Sequence, residues 1–275
     1  MAKRIIVGVI GIPILLGIIL FLPHFCWSIV VMLISAASAF ELMRAAGEGK
    51  VSTPMKVVTI LSAMLIPFGN WLNNPIVFAV LCTFAVVMVS FWCAIRAFDE
   101  NSGTIGLYHV LLTLFAGCLI PLALSSLVQL RGMQYGRYSV VLAVFLNFIT
   151  DAVAYFGGIF FGKHRGVTKV SPKKSVEGYI FGFVGGILFS VLYGMLIAVI
   201  EGKSPMLLPL VLCGFVGSLV TELGDLVFSL IKRQYGVKDY GRILPGHGGI
   251  LDRFDSMILC GPVVLFIVHY MPLFA

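Results

Sequence analysis

Five acidic residues in the second half of the chain could carry chemistry: Asp151, Glu222, Asp225, Asp252 and Asp255. Glu222 and Asp225 stand three apart, as do Asp252 and Asp255, while Asp151 precedes Tyr155 by four. On helices each of these pairs shares a face. Hard cations such as Mg²⁺ prefer carboxylate oxygens and commonly use one or two of them together with substrate phosphates. Asp225, Asp252 and Asp255 are suitable metal ligands of that kind, whereas the sequence offers no H-E-x-x-H and no Cys/His cluster for zinc.

Groups that could bind an anion lie nearby in sequence. The turn Pro245-Gly246-His247-Gly248-Gly249 would let backbone N–H groups approach phosphate at the start of the following helix. Lys232, Arg233, Lys238, Arg242 and Arg253 flank it, and Ser171-Pro172-Lys173-Lys174-Ser175 forms a second basic loop. Basic loops beside a bilayer also bind anionic headgroups without catalysis, so substrate contact and lipid contact both stand for the individual lysines. No G-x-S-x-G elbow supplies a nucleophile, and His247 is the one candidate acid or base in the turn. Chemistry in which the substrate brings its own nucleophile fits this inventory. Phosphoryl and nucleotidyl transfer are of that type, since they depend on positioning and charge neutralisation.

These residues must be held by membrane helices. The chain has 275 residues, 60% hydrophobic and 11% charged, with a mean hydropathy of +1.06, well outside the soluble range. Roughly nine apolar stretches are long enough to cross a bilayer core, beginning near Ile5, Phe25, Met55, Pro75, Ile105, Tyr138, Gly178, Met206 and Phe254. The expected fold is therefore an all-α, polytopic membrane bundle. Ionised carboxylates at mid-bilayer cost at least about 2.5–3.5 kcal/mol, so Asp151, Glu222 and Asp225 should face a wet interior. The alternative is that they pair with buried Lys or Arg, although the spans themselves carry no basic residue at matching depth.

The net charge of +7 points to topology rather than to nucleic acid, because nearly all Lys and Arg fall in alternate loops. An N-terminus on the cytoplasmic side and a C-terminus outside satisfy the positive-inside rule. The first stretch lacks a small-residue cleavage pattern at Phe21-Leu22-Pro23-His24 and is expected to be retained. Residues 1–275 read as a single membrane domain, with 1–137 as scaffold and lipid-facing helices and 138–275 carrying the chemistry. Gly178, Gly182 and Gly186, like Gly158 and Gly162, form small-residue seams for close helix packing. Gly157 to His164 mimics a nucleotide-binding P-loop, but His164 stands where Ser or Thr would hold Mg²⁺ and a membrane helix precedes it. The six cysteines lie singly in apolar stretches as small hydrophobes.

The 27 residues from Ser229 to Asp255, S-L-I-K-R-Q-Y-G-V-K-D-Y-G-R-I-L-P-G-H-G-G-I-L-D-R-F-D, resemble the signature of the phosphatidate cytidylyltransferases, or CDP-diacylglycerol synthases. Ser171-Pro172-Lys173-Lys174-Ser175-x-Glu177-Gly178 and Asp151-x-x-Ala154-Tyr155 also look like that family, with Ala152 where Thr is expected. The resemblance implies a bacterial inner-membrane enzyme of phospholipid biosynthesis. It would react CTP with phosphatidic acid, with Mg²⁺ required. It implies Asp225, Asp252 and Asp255 at the metal, Lys238, Arg253 and His247 beside them, and Ser171, Lys173, Lys174, Lys232, Arg233, Gly248 and Gly249 toward the nucleotide. Asp151 and Glu222 would line the cavity or orient a cation. The cavity is expected between the sixth, seventh and eighth spans, open to both lipid and cytosol. Oligomeric state is left open, a homodimer included. A CTP-dependent lipid kinase, releasing CDP instead of pyrophosphate, and a transporter with an ion path are the other readings at this point.

Overall fold

A computed structural model describes residues 2–100, 103–243 and 248–275, with backbone alone for 2–10. Nine helices make up the described residues: α1 (Ala2–Phe21), α2 (His24–Ala46), α3 (Thr53–Trp71), α4 (Pro75–Asp99), α5 (Leu107–Gly132), α6 (Gly136–Phe161), α7 (Val176–Glu201), α8 (Leu207–Gln234) and α9 (Leu251–Tyr270). Every start lies within three residues of the position read from hydropathy. No strand forms among the described residues beyond two isolated bridges. Six helices, α2 and α4 to α8, are long and apolar enough to cross a bilayer. The chain is an all-α integral membrane protein.

Local chemistry sets the helix boundaries. Pro54 and Pro75 sit in the first turns of α3 and α4, where a missing N–H does no harm. The Ser175 hydroxyl accepts from the Gly178 amide and caps α7, and Gly202 closes that helix at a φ of 63°. In α5 the turn Phe115–Leu119 widens to a π-helix just before Pro121. An α-helical turn there would press the proline ring against the carbonyl four residues back, and the wider turn relieves that clash.

The chain divides into two compact units. The first comprises Met1–Gly132 with Gln234–Phe254. Inside it α5 is largely covered and α4 largely bare, with 67% and 17% of their most apolar stretches buried. The bare side of α4, with Val80, Leu81, Phe84 and Trp92 exposed, is the surface lipid would cover. Polar ties fix α2 to the end of α5: Trp27 Nε1 donates to the Leu127 carbonyl at 3.0 Å, and His24 Nε2 lies 2.9 Å from the Val128 carbonyl. A helix carbonyl has a second lone pair beyond its intrahelical bond, so side-chain donors can share these two.

The second unit comprises Met133–Arg233 with Asp255–Ala275. The glycine seam of α7 seats on α6 and α8, with Gly182 facing Thr150 and Ala154 and Gly186 facing Ser218. Thr150 and Ser218 hydroxyls meet at 2.9 Å, and Thr221 donates to Asn147 Oδ1 at 2.8 Å. Close approach thus leaves buried hydroxyls satisfied across helices, as a nonaqueous interior requires.

Candidate active site

Two polar sites emerge, one in each unit. In the second unit a cavity of about 600 Å³ lies between α6, α7 and α8, where the sequence placed it. Asp151, Ala154, Tyr155, Gly158 and Ile159 line it from α6, and Glu222 and Asp225 from α8. The loop 162–175 adds Arg165, Lys173 and Lys174, and α7 adds Gly178 and Tyr179. Asp151 and Tyr155 do share a face, as do Glu222 and Asp225, and both faces open on this space.

Lys174 changes the electrostatics expected from sequence. Its Nζ sits 2.5 Å from Glu222 Oε2 and 2.8 Å from Asp225 Oδ2, and lies over the Tyr179 ring at 5.3 Å. The helices indeed supply no cation at that depth, but a loop lysine two residues before α7 reaches down with its four-carbon stem. Burial would favour the neutral amine, yet the Asp225 and Glu222 carboxylates outweigh it and hold the ammonium above the usual lysine range. Lys174, expected among the phosphate ligands, is thus already paired. Lys173 remains exposed on the cavity wall, and Arg165, not among the candidates read from the sequence, joins it.

Other expected site residues in this unit fall nearby in the chain but outside the lining. Lys232 Nζ approaches Asp255 Oδ2 at 4.0 Å, and Asp255 Oδ1 accepts from the Ser256 amide at 2.8 Å. The Ser171 amide donates to Thr168 Oγ1, and Arg233 is exposed at the end of α8. His164 pairs with Glu177 at 2.5 Å across the neck of the basic loop, and Gly157 to Phe161 form the end of α6, unlike the strand-borne P-loop.

The first unit holds the rest. Asp252 Oδ2 accepts from the Tyr240 and Gly249 amides at 2.8 and 2.9 Å, folding the signature segment back on the start of α9. Gly248 takes a φ of +83°, a left-handed conformation that a side chain would strain. Lys238 lines a recess of about 510 Å³ with Arg44 and Arg242. Arg253 is exposed, and His247 lies outside the described residues. Asp252 and Asp225 fall in different units.

The cavity's donors bear on a cation. Glu222 is buried, and its Oε1 has no hydrogen-bond partner among the described residues. The Lys174 ammonium already occupies a position between two carboxylates, so a positive charge is accommodated there. No three His, Cys, Asp or Glu side chains gather closely enough among the described residues to share an ion. A Mg²⁺ ion that arrives with substrate phosphates needs only one or two carboxylates, and this donor set fits that mode.

The model of the cytidylyltransferase family matches residues 2–271. The chain belongs to the cytidylyltransferase family. A phosphatidate cytidylyltransferase from Bacillus subtilis (strain 168) is 30% identical over 272 residues, 98% of this chain and 97% of its own length. One of the same name from Mycobacterium tuberculosis (strain ATCC 25618 / H37Rv) is 31% identical over 266 residues, 92% of this chain and 78% of its own. Another, from Staphylococcus epidermidis (strain ATCC 12228 / FDA PCI 1200), reaches 42% over 134 residues, 49% and 48% of the two chains. The cytidylyltransferase match spans both units, so the front half belongs to the family as much as the signature does.

Proposed function

We propose that the protein transfers a cytidylyl group from CTP to phosphatidic acid, giving CDP-diacylglycerol and pyrophosphate for phospholipid synthesis. The full-length relatives of that name support the reaction, and one feature of the structure carries the substrate pairing. The cavity has an apolar wall of Ala154, Tyr155 and Ile159 on a membrane helix and an ionic wall of Arg165, Lys173, Lys174 and Asp225. A two-chain lipid phosphate and a nucleotide triphosphate present those same two faces.

The lipid phosphate is largely dianionic near neutral pH, its second pKa being about 6, and so needs no strong protein base. One of its oxygens attacks the α-phosphorus of CTP, a new P–O bond forms, and the bond to the β-phosphate breaks as pyrophosphate leaves. Arg165 and Lys173 hold phosphate oxygens at the cavity mouth, with the planar Arg fork suited to two at once. Bound Mg²⁺, which Asp225 would hold together with substrate phosphates, would neutralise triphosphate charge. Gly248, Gly249, Lys232, Arg233, Lys238 and Arg253 supply amides and charge along the signature segment. The basic loops face the cytoplasm of a bacterial inner membrane, where CTP is available, and the uncharged C-terminal tail lies outside.

The test is purified protein in micelles with CTP, phosphatidic acid and Mg²⁺. Pyrophosphate and CDP-diacylglycerol are the expected products. Release of CDP would instead identify a lipid kinase, and no turnover of CTP would overturn the reading.

A further inference from the structure

Glu41 lies near the end of α2, in the half of the chain that the sequence reads as scaffold, yet it is wholly buried. Its Oε2 accepts the Leu251 amide at 2.8 Å, 210 residues away. That amide opens α9, where the first N–H groups have no intrahelical carbonyl, and a carboxylate is favoured there by charge as well as by hydrogen bonding. The same carboxylate presses on the Cα positions of Gly241 and Gly249, so a Cβ at either would collide with it. Two glycines of the signature segment are therefore explained by a side chain on another helix.

One turn along the same face of α2, Arg44 Nη2 donates to the Tyr240 carbonyl at 2.9 Å. The Tyr240 amide is in turn held by Asp252, which also takes the Gly249 amide. Four hydrogen bonds thus stitch the segment's two ends together, two from α2 and two from Asp252. All of these residues lie in the first unit.

We infer that the end of α2 is a positioning clamp, with Glu41 and Arg44 fixing the loop that carries Lys238, Gly248, Gly249 and Asp252 for nucleotide transfer. Both act through the backbone they hold. The catalytic consequence rests on the cytidylyl-transfer reading, whereas the clamp itself does not.

Hydrogen exchange and steady-state kinetics on the full chain in micelles separate the two. In Glu41→Ala, amide exchange at Leu251 and Tyr240 should quicken about tenfold, the ratio an ordinary lost hydrogen bond produces, while the apolar interior of α3 and α5 keeps its protection. The kcat for pyrophosphate release should fall about 100-fold, as a displaced catalytic loop does, with the KM for CTP little changed. Glu41→Gln, whose amide oxygen still accepts from Leu251, should restore most of both. Arg44→Gln should loosen Tyr240 and leave Leu251 protected. Gly249→Ala should be damaging alone and markedly less so beside Glu41→Ala, because the obstructing carboxylate is gone.

Unchanged exchange at Leu251 in Glu41→Ala would overturn the clamp, and so would loss of protection throughout α3 and α5, which marks a merely structural residue. Faster loop exchange with kcat unaltered would overturn the positioning role. Wild-type protein that turns over no CTP would sink the functional reading alone, and the exchange measurements would still judge the clamp.

Discussion

The two units hold polar groups in place by different physics. In the second, Asp151, Glu222 and Asp225 stand on helices whose glycine seams pack backbone against backbone, and the cavity inherits its shape from that packing. In the first, Asp252 and its neighbours sit on an irregular segment whose geometry depends on side chains gripping main-chain amides. Helix packing fixes positions through many weak contacts, so single losses are shared among neighbours. A stitched loop depends on a few hydrogen bonds, and each loss is local and complete.

The largest expected effects test whether both regions serve one reaction. Asp225→Asn and Asp252→Asn should each lower nucleotide transfer by about 10³-fold, the scale of losing a group that acts in the transition state. At Asp252 the amide oxygen of Asn can still accept the Tyr240 and Gly249 amides, so the loop survives and the loss reports charge. Retained activity in Asp252→Asn, measured by pyrophosphate release, would reduce that residue to a loop fastener and break the pairing of the two regions.

Next comes Lys174→Met, which leaves Glu222 buried and Asp225 half-buried without their cation. Removing one partner of a buried pair costs up to about 3–5 kcal/mol, and the partly exposed lysine puts this case at the low end. A drop in thermal midpoint should be reversed by adding Glu222→Gln. If Lys174→Met melts normally, the cavity carboxylates are solvated and the contrast with the first unit weakens.

What could be read from the sequence follows the same divide. Hydropathy found all nine helix starts, because span length and apolar runs are local properties. Three-residue and four-residue spacing also put Asp151 with Tyr155, and Glu222 with Asp225, on the faces that now line one cavity. Lys174 was visible as a basic loop residue, but its reach to a carboxylate 48 positions on is a tertiary fact. Glu41 was visible only as an acid near a span end. Its one hint was Arg44 three residues later, and nothing in that spacing tells which backbone the pair would hold.

Smaller effects sharpen the packing side. Gly224 lies against the Ser256 backbone, and Gly224→Ala would bring a Cβ to 2.9 Å of the Ser256 Cα. Overpacking of that kind costs about 1–3 kcal/mol, readable as a lower melting temperature with the KM for CTP unchanged. Smallest is Tyr155→Ala on the apolar wall, where the side chain is exposed. The KM for phosphatidic acid should rise about fivefold to tenfold, a fraction of one aromatic's burial energy, with CTP unaffected. An equal rise for CTP would place the nucleotide on that wall instead.

The ammonium of Lys174 between Glu222 and Asp225 has a consequence for how the molecule comes into being. A nascent chain entering the bilayer brings its own tethered counter-ion for two carboxylates that would otherwise resist insertion. A chelator should therefore leave the idle protein folded.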